Sequence, residues 1–150
     1  MTEGSTPGDH PYTVALNIDG PRDPEYLLEV LQAAAQAIRV ANHVSRDRDA
    51  LGEPADAWHA ILEMRTLAEL LPQLCGQIGG WLEAEHEAGR IAVPSGTMAG
   101  QPDLAVLTVT EALAHAGTVA AELRAVLNAA ANVASTLAAA EGGESGSDDD

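Results

Sequence analysis

Between Gln101 and Ala140 the chain is broken by one glycine, Gly117, and one proline, Pro102. Pro102 stands where a first helical turn tolerates proline, since the missing N–H has no intrahelical partner there. Stepped by three and four residues, the apolar side chains run Val106, Val109, Leu113, Ala116, Ala120, Leu123, Leu127, Ala130, Ala134 and Leu137. Val119, Val126 and Val133 add a further row at seven-residue spacing. A strand alternates every second residue, so this three-row period commits the stretch to one long amphipathic helix with a wide apolar face.

Two earlier stretches repeat the pattern. Asp23-Pro24-Glu25 supplies an N-cap, a first-turn proline and an acidic first turn, which opens a helix over 24–44. Its apolar rows are Leu27, Leu31, Ala34, Ile38 and Ala41, with Val30, Ala37 and Val44 beside them. Pro54 opens a second helix, expected over 54–88, with Ile61, Met64, Ala68, Leu71, Cys75, Ile78 and Leu82 in register. Ala60, Leu67, Leu74 and Trp81 form its third row. Pro72 falls inside and predicts a kink, because it removes a backbone hydrogen bond and crowds the carbonyl four residues back. Gly76, Gly79 and Gly80 weaken the turns that follow, yet the register continues through them.

The expected fold is therefore all-α: an antiparallel three-helix bundle with two long helices, the second kinked at Pro72, and a short extended N-terminal arm. Residues 1–22 read as the flexible arm, with the alternating stretch 12–18 as its extended segment. Residues 23–140 read as the bundle domain. The acidic, glycine-rich tail 141–150 reads as disordered.

The helices differ in length, the first near 30 Å and the others roughly 50–60 Å at 1.5 Å per residue. Stacked in chain order, they leave one end of the hairpin without a third helix. Ile78, Trp81, Leu82, Val106, Val109 and Leu113 lie there and form the candidate interaction surface. The covering element is the arm, the 89–100 loop, a fold-back at Pro72, a second copy or another protein; a homodimer is the expectation. Trp81 is the most informative residue, since indoles are enriched at interface hot spots. Packing inside the chain is its first expected role and an interface its second.

Composition removes several classes of function. The net charge is −16, from 7 basic and 23 acidic residues, and every basic residue is arginine. Nucleic-acid binding needs clustered positive charge, so it is not expected. The lysine-free, alanine-rich composition fits a GC-rich bacterial genome. One cysteine, Cys75, permits no internal disulfide. With no signal pattern at the N-terminus and no apolar run near ~18–20 residues, the expected location is the cytoplasm, off the membrane.

Candidate chemistry is sparse. Glu83 and His86 have the Glu-x-x-His spacing of di-iron bundles, but a complete centre needs two such pairs and two further inward carboxylates. His59/Glu63 and Glu111/His115 are spaced to chelate, yet fall off the apolar face and read as surface pairs. Cys75 reads as a small core hydrophobe. Pro94-Ser95-Gly96-Thr97 lacks the phosphate-loop spacing and its lysine, and reads as a turn. Asn128 and Asn132 read as exposed. No catalytic residue, metal or cofactor is assigned.

The expected function is a non-enzymatic helical interaction or regulatory protein that self-associates, binds another protein, or both. The alternatives are a metal- or cofactor-binding bundle enzyme and an acidic decoy for a basic DNA-binding protein. The acidic helical hairpin is similar in outline to the WXG-type proteins of type VII secretion. However, Gly79-Gly80-Trp81 lies within a helix and is not Trp-x-Gly, and no Tyr-x-x-x-Asp/Glu follows the last helix. No family is assigned on that likeness.

Overall fold

The computed structural model describes residues 16–139. Among these the regular structure is wholly helical: α1 (Pro24–Val44), a short 3-10 turn (Arg48–Ala50), α2 (Pro54–Glu87) and α3 (Pro102–Ala134). The chain divides into two compact units, Met1–Gly52 and Glu53–Asp150. The expected strand-like arm at 12–18 lies largely outside the described residues. Leu16 and Ile18, at its end, are exposed and in no strand. The acidic tail at 141–150 also lies outside them.

In the first unit the sequence signals act as their chemistry dictates. Asp23 caps α1 by accepting from the Tyr26 backbone N–H at 2.8 Å, and Pro24 begins the helix. The Tyr26 hydroxyl reaches back to the Asn17 backbone: the Asn17 N–H donates to it at 2.9 Å, and it donates to the Asn17 carbonyl at 3.1 Å. A tight turn at Asn17–Gly20 brings Gly20 against that ring. A Cβ on Gly20 would lie 2.9 Å from the Asn17 carbonyl oxygen and 3.0 Å from the Tyr26 ring. No residue of α1 is buried. Its Leu27, Ile38 and Val44 are exposed.

The second unit is a hairpin. α2 runs unbroken through Pro72 as one helix. Its start is tied by the Glu53 N–H, which donates to the Asp56 carboxylate at 2.9 Å. Its end is a Schellman turn: Gly89, at φ +70, donates to the His86 carbonyl, and the Arg90 N–H reaches the Glu85 carbonyl at 2.9 Å. Gly89 takes the left-handed conformation that a side chain would strain.

α3 packs on α2. It stops at Ala134, short of the expected Ala140. Ser135 and Thr136 turn their hydroxyls onto the carbonyls of Asn132 and Val133, at 2.8 and 2.7 Å. Local bonds of this kind compete with the helix ladder, and Leu137 lies outside the helix and exposed.

Cross-contacts fix the pairing of the arms. Arg65 donates to Asn128 at 3.3 Å. Gly117 sits over Pro72, where an added Cβ would lie 3.4 Å from the proline Cα. Gly79 faces Leu113 and Thr110, and His86 Nε2 lies 3.0 Å from the Asp103 carboxylate. Residues late in α2 thus meet residues early in α3. The buried set is small: Ala68 and Gly79 from α2, with Val106, Gly117, Ala120, Ala131 and Ala134 from α3. Among the described residues no large side chain is fully buried.

Candidate functional site

The rows that face inward are not the ones hydropathy alone selects. Along α2 the buried and half-buried residues include Pro54, Trp58, Ile61, Arg65, Ala68, Pro72, Cys75, Gly79, Leu82 and His86. Along α3 they include Val106, Thr110, Leu113, Gly117, Ala120, Leu127, Ala131 and Ala134. The row through Ile61, Ala68, Cys75 and Leu82 is shared with the expected seam. Of the second expected row, Met64 and Leu71 are exposed and Ile78 is half-buried, while the neighbouring Arg65, Pro72 and Gly79 turn inward. On α3, Thr110, Gly117 and Ala131 likewise replace Val109, Ala116 and Ala130.

The physical reason is closeness of approach. Helix axes can come near the short end of their usual 8–10 Å separation only where side chains are small, and the inward rows include Ala68, Pro72 and Gly79 on α2 and Gly117, Ala120, Ala131 and Ala134 on α3. Thr110 can point inward because its hydroxyl is already bonded to the Leu107 carbonyl, at 3.1 Å. Arg65 is the exception: it reaches Asn128, but its Nε is buried and has no hydrogen-bond partner among the described residues. Asn128, expected to face solvent, is half-buried by that contact, while Asn132 is exposed. The position of Arg65, one residue past Met64, was the available signal, but the wider apolar row concealed it.

This rotation leaves the larger apolar side chains outside. On α2, Met64, Leu67, Leu71 and Trp81 are exposed, and Leu74 and Ile78 half-buried. On α3, Val109, Val119, Leu123, Val126 and Val133 are exposed. These are the two rows beside the inward face on each helix, at equivalent heptad positions. In a hairpin whose arms pair in opposite order, equivalent rows lie on the same side. The hairpin is therefore amphipathic as a unit. One face carries leucine, valine, methionine and tryptophan. The other carries Glu69, Gly76, Glu83, Thr118 and Asn132, together with Leu62, Leu104 and Leu107.

The expected interaction residues divide across this surface. Trp81 is 61% exposed and Val109 46%. Ile78, Leu82 and Leu113 are half-buried, and Val106 is buried between the arms. Trp81 is thus not packed inside the hairpin, its first expected role.

The charges lie elsewhere. From Ala57 to Trp81, and from Ala105 to Val133, the two open rows hold no charged residue. Glu85 continues one row at the loop end, and there Arg90 forks onto it with two hydrogen bonds of 2.6 Å. That hydrogen bonding holds the Glu85 carboxyl below its ordinary range and raises Arg90 above its own.

The possible metal pairs do not converge. Glu83 is exposed, and its partner in spacing, His86, is engaged with Asp103. His59, Glu63, Glu111 and His115 are exposed, and the His59 ring lies against Trp58 at 4.7 Å between centroids. Among the described residues no three His, Cys, Asp or Glu side chains come together as a ligand set. Cys75 is free and half-buried. α3 is long and apolar enough, by length and composition, to cross a membrane; here its inward row packs on α2. The chain matches no protein-family model, no curated protein and no solved structure.

Proposed function

We propose that this is a non-enzymatic helical-bundle protein that works by protein–protein interaction and self-associates. One observation carries the reading: an apolar face without charge from Ala57 to Trp81 and from Ala105 to Val133 stays open, while the fully buried positions between the arms are held by Ala68, Gly79, Val106, Gly117, Ala120, Ala131 and Ala134. Soluble monomers rarely expose contiguous apolar patches above a few hundred Å², and such a face gains its free energy by meeting another apolar surface. We propose that α2 and α3 pair antiparallel, with α2 kinked at Pro72. α1 repeats the same three-row pattern and buries none of it alone.

Elemental analysis and an absorption spectrum of the purified protein test the reading against an enzyme. The expected result is no stoichiometric metal and no cofactor band; iron, manganese or zinc at one or two per chain would overturn it. Competition against DNA for a basic DNA-binding protein tests the decoy alternative, and no competition is expected.

A further inference from the structure

The interaction reading names self-association without the surface that serves it, and the inference below rests on it. We propose that the open face of the hairpin is covered by the same face of a second copy, so that two hairpins form the four long helices of a symmetric dimer.

Area is the first support. Burying a Leu- or Val-sized side chain is worth ~1.5–3 kcal/mol at ~25 cal/mol per Å², which corresponds to roughly 60–120 Å² each. The exposed aliphatic side chains on the face are between 44% and 66% exposed, and Trp81 is 61% exposed. With ~150–250 Å² for an aromatic, the large side chains together present on the order of 500 Å². The half-buried Leu74 and Ile78 and the intervening alanines extend this toward the ~800 Å² per partner of a standard stable interface.

Self-complementarity is the second. A two-fold interface requires one surface to match itself. Here both arms contribute equivalent rows, and each alternates large residues (Leu67, Leu71, Val126) with small ones (Ala60, Ala112, Ala116).

Charge is the third. A basic partner would find no carboxylate along the central rows of this face, and Glu85 at its end is already held by Arg90. The acidic groups of two copies would point outward to solvent, where they repel through water and salt screens them. The dimer should therefore tighten as salt rises. A complex held by attraction to a basic partner would weaken.

The test is light scattering on the full chain in a dilution series from about 1 to 100 µM, at about 0.05 and 0.5 M salt. The expected mass is twice 15.5 kDa at high concentration, with dissociation several-fold weaker at the higher salt. Leu71→Glu and Leu123→Glu each place a charge on the face. Both should run as single chains with unchanged helicity by circular dichroism. A wild-type protein of single-chain mass throughout overturns the proposal and assigns the face to other cover. So does a dimer that either folded variant leaves intact, or one that weakens with salt. Metal or cofactor found in an intact dimer would instead defeat the non-enzymatic part of the reading and leave the face-to-face dimer standing.

Discussion

The contact between Gly117 and Pro72 gives the most direct test of how the hairpin is packed. Pro72 removes a hydrogen bond from the middle of α2, and Gly117 is the only glycine in α3; the structure sets one against the other. A Cβ on Gly117 would lie 3.4 Å from Pro72 Cα and 3.7 Å from its Cβ. That is contact without overlap, so Gly117→Ala should keep most of the helix-propensity gain of about 1 kcal/mol. Leucine cannot fit the same space without pushing the arms apart, and overpacking of this kind costs about 1–3 kcal/mol. Gly80 provides the matched control, because a Cβ there meets nothing within 4 Å. Gly80→Leu and Gly117→Leu carry the same propensity gain, so their difference isolates the packing cost. Gly80→Leu should stabilise by about 0.5–1 kcal/mol. Gly117→Leu should fall below it by about 1–3 kcal/mol and end at or below wild type. Chemical denaturation followed by circular dichroism reads both, on the Leu123→Glu background if association complicates the wild type. Equal midpoints for the two leucine variants would refute close approach at this crossing, and with it the assignment of the inward rows.

Three further outcomes follow from named contacts. Asp23→Ala removes the acceptor for the Tyr26 N–H and should cost about 1 kcal/mol at the start of α1, seen as faster amide exchange in its first turn. Arg90→Ala should raise the Glu85 carboxyl back toward 4.5, measured by NMR titration. Since the folded-state value is the lowered one, the pair's contribution is present above about pH 4.5 and lost as pH falls through the lowered value; wild type and variant should therefore converge in stability in acid. Trp81→Ala on the Leu123→Glu background should move the unfolding midpoint by no more than about 0.5 kcal/mol, as expected of an exposed side chain. A larger loss would mean that Trp81 packs within the chain.

The sequence by itself determined the helices. α1 runs from Pro24 to Val44, as its cap, proline and apolar period require. α2 begins at Pro54 and passes through Pro72 because its period does. These signals are local: a carboxylate accepting an N–H three residues on, a proline that needs no N–H, a period of 3.6. The end of α3 was harder to read, because the helix stops at Ala134, before Ser135 and Thr136, while the apolar pattern runs on to Leu137. Tertiary structure alone decided which edge of each wide apolar face turns inward. Hydropathy ranks Met64, Leu71, Val109 and Leu123 above Arg65, Pro72, Thr110 and Gly117, so the pattern centres the seam on the larger residues. Packing of two helices instead rewards the rows that let the backbones approach, and those include Pro72, Gly79, Gly117, Ala120 and Ala131 beside the larger Ile61, Leu82 and Leu113. Other large side chains are left on an open face, and that geometry, invisible in the order of residues along the chain, is what gives the hairpin a surface to offer a partner.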